Sequence, residues 1–215
     1  GGHFSGRLTA PLCIAGGIAK QILRRRGIYI GAQLLKIENV RGTSFDPVSV
    51  SSDTLEGMAT KAFATLDDTI APAMQEAIEA AAREGDSVGG IVQCAAIGVP
   101  AGLGGPMFDG VENALAKALF GIPGCKGVSF GAGFDCVTMR GSQHNDPFTM
   151  AGDTVTPVTN NAGGILGGIT SGAPILAQIA MKPTASISME QQTVSLSKGI
   201  DEPLVITGRH DPCIA

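Results

Sequence analysis

Apolar residues recur near a helical period from Thr9 onward, with Leu12, Ile14, Ile18 and Ile22 falling along one side. Thr9 is the expected N-cap, Pro11 sits in the first turn, and Gly27 stands where a helix would stop. Arg24, Arg25 and Arg26 complement the negative end of the helix dipole, so a solvated helix end explains them more simply than a ligand site does. The period then changes. "IYIGAQLLKI" is rich in large apolar residues and reads as a strand, and "APAMQEAIEAAAREG" returns to helical spacing, closed by Gly85. "SVGGIVQCAAIGV" reads as a buried strand. "DGVENALAKALFG" reads as a helix in which Asp109 and Glu112 have capping-box spacing, and "KGVSFGAGF" as another strand.

Residues 140–164 lose all period and read as one long polar loop, which inside a compact chain is more often functional than idle. Strand patterns resume in "APILAQIAMKP", "QQTVSLS" and "PLVITG". No repeat or low-complexity linker divides the chain. The expectation is one α+β domain over residues 1–215.

Composition narrows the chemistry. The 215 residues carry a net charge of −4, which gives no reason to expect nucleic acid as a partner. The 31 glycines point to tight turns where main-chain N–H groups can come up to a ligand. Cys13, Cys94, Cys125, Cys136 and Cys213 are odd in number and form no CxxC pair, so they read as buried thiols of a reducing compartment rather than as a disulfide framework or zinc site. With no basic-then-apolar leader and no run fit to span a bilayer, no membrane association and a cytoplasmic location are expected. GxxxxGK[ST] is absent, and the glycines of "GAGF" and "GILGGI" lack the strand and helix context of a dinucleotide site. His3, His144 and His210 are too widely spaced to suggest a metal site.

Three polar constellations remain. "GGHFSGRLTA" sets His3, Phe4, Ser5 and Arg7 before the first helix, where main-chain N–H groups and a guanidinium could hold an anion; a capped helix start with a surface arginine is the plain alternative. "MKPTASIS" alternates Lys182, Thr184 and Ser186 on one side of an extended segment, which Pro183 keeps out of helix. A half-exposed strand would show the same alternation. "GRHDPC" offers Arg209 for bidentate anion binding and Asp211 as a base, or simply a turn with a surface ion pair. A thiol hydrolase pairing Cys213 with His210 is a poor fit, because near neighbours in sequence seldom aim at one another as nucleophile and base must.

Taken in order, "GGHFSGRLTA", "DSVGGIV", "GVPAGLGGPMFD", "KGVSFGAGF", "RGSQHNDP", "TNNAGGILGGITSG", "KPTASI" and "GRHDPC" resemble the signatures of the chorismate synthase family through essentially the whole chain. The resemblance implies an α+β fold in which antiparallel sheets sandwich a helical layer, assembled as a homotetramer. It implies loss of phosphate and a C6 hydrogen from 5-enolpyruvylshikimate 3-phosphate to give chorismate, with reduced FMN required although there is no net redox change.

By the family pattern Ser5, Arg7 and Arg209 are substrate contacts, and Arg209 and Asp211 are the catalytic pair, with Asp211 aiding proton removal. The cofactor-binding set carried over is His3, Phe4, Ser5, Gly167, Lys182, Pro183, Thr184, Ala185, Ser186 and Arg209. Many members have Arg where His3 stands and Glu where Leu8 stands. An upstream Gly-Glu-Ser-His-Gly signature, two proton-donating histidines and a helix after "GRHDPC" have no counterpart here. The resemblance therefore implies an internal piece of the enzyme, weakly active or inactive alone, or a non-catalytic flavin- and anion-binding core.

Overall fold

β1 (Tyr29–Ile37) buries alternate residues for most of its length, and this period of two lets it sit inside a sheet whose other strands lie far away in sequence. It returns tightly into β2 (Val40–Arg41) and pairs antiparallel with β3 (Gly90–Ile97), placing Gly31 opposite Ala95 and Gln33 opposite Gln93. β4 (Cys125–Phe130) is the opposite edge strand. The computed structural model describes residues 2–208 and 210–215.

Two ribbons come next in the chain: β5 (Phe148–Ala151) with β6 (Thr154–Pro157), then β7 (Ile165–Leu166) with β8 (Ile169–Thr170). β9 (Ile175–Met181) fills the place between β3 and β4, so the five-stranded antiparallel sheet runs β2-β1-β3-β9-β4. A last ribbon pairs β10 (Gln191–Ser195) with β11 (Ile200–Leu204).

The helices are α1 (Thr9–Arg24), α2 (Ser52–Met58), α3 (Ala71–Arg83), α4 (Val111–Phe120) and the single turn α5 (Gly141–His144). Leu55 and Met58 of α2 pack with Phe45, Ala95 and Leu176, while Leu119 of α4 packs beside Ile179, Met181 and Cys125. Register pairs Ala95 with Leu176 and Val92 with Ile179, so these two clusters lie on opposite faces of the sheet. Met74 and Ala81 of α3 close over Ile37 and Val88. Leu35, Ile37, Leu55 and Met74 are fully buried, each contributing roughly 2–3 kcal/mol of apolar burial.

A buried amide pair stitches the connection between β2 and α3 to the sheet. Gln33 Nε2 donates to Gln93 Oε1 at 2.9 Å and to the Thr43 carbonyl at 3.0 Å. Its Oε1 accepts the Leu66 N–H at 2.8 Å, and Gln93 Oε1 also accepts the Phe45 N–H at 2.9 Å. Two side chains only 2% and 4% exposed thus satisfy two backbone N–H groups of an irregular segment.

The α+β class with antiparallel sheets is the one read from the sequence. Several local expectations are corrected. Thr9 is not the N-cap of α1 but its first residue. Its hydroxyl donates to the Gly6 carbonyl at 2.6 Å because a 3-10 turn at Gly6–Leu8 feeds directly into the helix. Asp109 and Glu112 form no capping box, since Asp109 lies in a separate 3-10 turn and Gly110 takes the N-cap position.

The stretch 140–164 is not one loop: α5 and the β5–β6 ribbon occupy much of it. The last strand lies at Ile200–Leu204, earlier than "PLVITG" suggested, because its register is set by β10. Not every cysteine is buried, as Cys13 is exposed on α1. That helix also keeps its apolar row outside: Leu12, Ile14, Ile18 and Ile22 are between 51% and 69% exposed.

Candidate functional site

The residues singled out from the sequence gather at three places. The first is the start of α1. Ser5 caps the 3-10 turn there by accepting the Arg7 N–H at 3.3 Å, while His3 and Arg7 are exposed and Phe4 is 92% exposed. A helix start with a guanidinium beside it offers donors to an anion.

The second place is the far end of β9. Beyond Met181 the chain continues through Lys182, Pro183, Thr184, Ala185 and Ser186 with a bend at Ala185, and Lys182, Thr184 and Ser186 are half-buried while Pro183 and Ala185 are exposed. Here the predicted alternation is realised. Main-chain and hydroxyl bonds tie this run to two other segments: the Lys182 N–H donates to the Gly124 carbonyl just before β4 at 2.9 Å, and the Thr184 hydroxyl to the Asp211 carbonyl at 2.7 Å. Ser87 donates its hydroxyl to the Thr184 carbonyl at 2.7 Å, and the Val88 N–H reaches the Pro212 carbonyl at 2.8 Å.

Segments separated by some 27 residues therefore form one wall. The Thr184 hydroxyl proton is spent on that wall, so toward a ligand it presents lone pairs, whereas the Lys182 ammonium donates to the neighbouring Pro183 carbonyl at 3.2 Å. Arg209 lies outside the described residues. His210 Nε2 contacts the Ile206 carbonyl at 3.2 Å and Cys213 packs among apolar side chains, an arrangement that does not suit a Cys–His nucleophile.

The third place is Gly167, in the turn between β7 and β8 at the opposite end of β9. Seven strand residues separate the two ends, a span of about 20 Å at the usual rise. Gly167 has φ +59, and a Cβ built on it would meet nothing within 4 Å, so the turn looks onto open space. The loop that leads into β7 is tied down. Asp146 accepts the Asn161 N–H and the Thr159 hydroxyl at 2.7 Å each on one carboxylate oxygen and the Ala162 N–H at 2.9 Å on the other.

Burial works to raise the Asp146 pKa, but the bonds from Ala162, Thr159 and Asn161, helped by nearby His144, outweigh it and hold the carboxyl below its ordinary value. Asn160 donates to the Pro47 and Pro174 carbonyls and accepts the Gly164 N–H. Sequence reasoning passed over Asp146, Asn160 and Thr170; three polar residues inside glycine-rich runs were the available signal.

Two cavities, of about 260 Å³ beside Lys20, Arg24, Tyr29 and Glu56 and about 220 Å³ beside Arg41, Ser129, Phe134 and Gln178, include none of residues 3–7, 167, 182–186 or 211 in their linings. Among the described residues, no group of three or more His, Cys, Asp or Glu side chains could hold a metal ion, and no helix is long and apolar enough to cross a membrane.

Comparison with known proteins follows the same boundaries. The family described as chorismate synthase matches residues 1–215. Chorismate synthases of Lancefieldella parvula and Thermococcus gammatolerans are 44% and 46% identical, over 98% and 100% of this chain and 58% of theirs. A crystal structure of chorismate synthase superposes with a TM-score of 0.78 at 28% identity, covering 85% of this chain and 57% of that one. The chain thus spans somewhat more than half the length of the relatives it matches.

Proposed function

Because the chain belongs to the chorismate synthase family, we propose that it carries the cofactor-facing and part of the substrate-facing surface for eliminating phosphate and a C6 hydrogen from 5-enolpyruvylshikimate 3-phosphate, yielding chorismate. The observation that carries this reading is the wall at the Lys182 end of β9, where residues 182–186 and 210–215 are bonded into one surface bearing an ammonium, hydroxyls and Asp211. A substrate with one phosphate and two carboxylates calls for fixed cations. Arg7 and Arg209 complete that set, with the neutral Ser5 hydroxyl as a hydrogen-bond donor, stabilising negative charge as it collects on the departing phosphate. Asp211 is the carboxylate that takes up the proton lost from the ring.

The residues present fit reduced FMN: Lys182 through Ser186 offer a cation and hydroxyls, the turn at Gly167 leaves room for a flat ring, and His3, Phe4, Ser5 and Arg209 add an aromatic face and donors. When bound, reduced FMN supplies reversible electron donation. Gly167 and Lys182 stand at opposite ends of one strand, so a homotetramer in which copies complete each other's sites agrees with the geometry better than a lone chain. A cytoplasmic location suits this chemistry.

The test is titration of the chain with FMN, with and without the substrate, together with turnover under reducing conditions. Binding that weakens at least tenfold in Lys182→Ala supports the reading. Tight flavin binding without product identifies a binding core, and no flavin binding by either form overturns the assignment.

A further inference from the structure

Thr170 is a polar residue that is only 3% exposed, and all its bonding capacity runs to one segment. Its hydroxyl accepts the Leu103 N–H at 2.9 Å and donates to the Pro100 carbonyl at 2.7 Å. Its own N–H donates to the Leu103 carbonyl at 2.9 Å, and its carbonyl accepts the Gly102 N–H at 2.8 Å. The arm that carries Gly167 toward Thr170 is clamped to the same loop a second time: the Gly168 carbonyl accepts the Val111 N–H at 2.9 Å, and a Cβ on Gly168 would run into the Gly105 carbonyl. The other arm, Ile165–Leu166, pairs with β8 over a two-residue ladder and is held where it begins, since Gly164 donates its N–H to Asn160 and accepts the Ser171 N–H at 2.9 Å. The base of the turn is therefore held from the 160–164 side, and the arm from Gly168 to Thr170 is held from the 100–111 side.

We infer that Thr170 is a positioning residue, whose hydroxyl locks the β7–β8 turn to the Pro100–Leu103 segment and so sets where Gly167 meets the flavin. This rests on the reading that Gly167 faces the cofactor. Threonine suits the task because one hydroxyl both donates and accepts while the methyl group stays in apolar surroundings. Valine matches its shape and removes both bonds. Leu103 and Pro100 are exposed enough for water to replace those partners, so the fold survives while the turn drifts.

The experiment compares FMN dissociation constants of the wild-type chain, Thr170→Val and Thr170→Ser at a temperature where thermal melts show all three folded, with amide exchange at Leu103, Gly167 and Gly168 followed in parallel. Thr170→Val is expected to bind FMN at least tenfold more weakly and to exchange faster at those amides, and Thr170→Ser to stay within about twofold of wild type. Ala81→Gly in α3 is the control that lowers the melting temperature without moving the dissociation constant. Wild-type and Thr170→Val binding FMN equally tightly overturns the positioning role alone. A wild-type chain that binds no FMN overturns the flavin reading, and the positioning role with it.

Discussion

The two ends of β9 are built by opposite means. At the Ile175 end, Asn160, Asp146 and Thr170 spend their polar atoms on backbone groups, and glycines let loops press directly on one another, leaving Gly167 as the open point. At the Met181 end Asp211 is exposed and Lys182 half-buried, and the Thr184 and Ser87 hydroxyls donate to main-chain carbonyls of neighbouring segments. The difference teaches where precision and charge reside: one end fixes a shape through buried bonds to backbone, and the other keeps charged side chains closer to solvent.

The sharpest way to break that contrast is at Gly131, which has φ +54 and abuts the Asn161 carbonyl and the Gly163 N–H where β4 meets the glycine-rich loop. Gly131→Ala places a methyl group against backbone in a conformation alanine resists. It is expected to cost on the order of 3 kcal/mol or more, read as a lower melting temperature or loss of soluble protein.

Next comes Asp146→Asn, which trades charge-assisted bonds for weaker ones and should cost about 1.5–3 kcal/mol. Because the folded carboxyl titrates below its unfolded value, its contribution is complete above about pH 4 and is lost as pH falls through the folded value. Melts of the two proteins should therefore converge in acid, and a constant gap from pH 7 to pH 3 would refute the clamp. Lys182→Ala, at the opposite end, should change stability by no more than about 0.5 kcal/mol, since among the described residues the ammonium's hydrogen bond goes to its neighbour's carbonyl.

The smallest effect concerns thiols. Burial pushes the Cys94 thiol up and Cys125 is buried, so alkylation should strike exposed Cys13 first. Mass mapping that found Cys94 modified as fast as Cys13 would show the sheet to be looser than its bonding implies.

Periodicity was enough to read α1, α3, α4 and strands β1, β3, β4 and β9, because each buries or displays a face at the spacing its backbone imposes. It missed α2, whose seven residues make not quite two turns and bury Leu55 and Met58, although Ser51 accepting the Thr54 N–H at 3.1 Å was a visible cap. The ribbons in 140–170 escaped because their strands are two to four residues long and mostly exposed, so no alternation could develop. Within the candidate site, the alternation of residues 182–186 was legible. The distance from Gly167 to Lys182 was not, since it depends on which strand the chain threads between them.

The buried amides of Gln33 and Gln93 carry a consequence for how this sheet comes together. Sliding β1 along β3 by one step would turn the Gln33 carboxamide to the face opposite Gln93, breaking the bond between them and stranding the Leu66 amide proton, so a misaligned ladder is penalised at its centre before its ends zip. Sixty residues must be looped out before that check can be made, which marks the closure of these two strands as a late event in folding whose failures are discarded early.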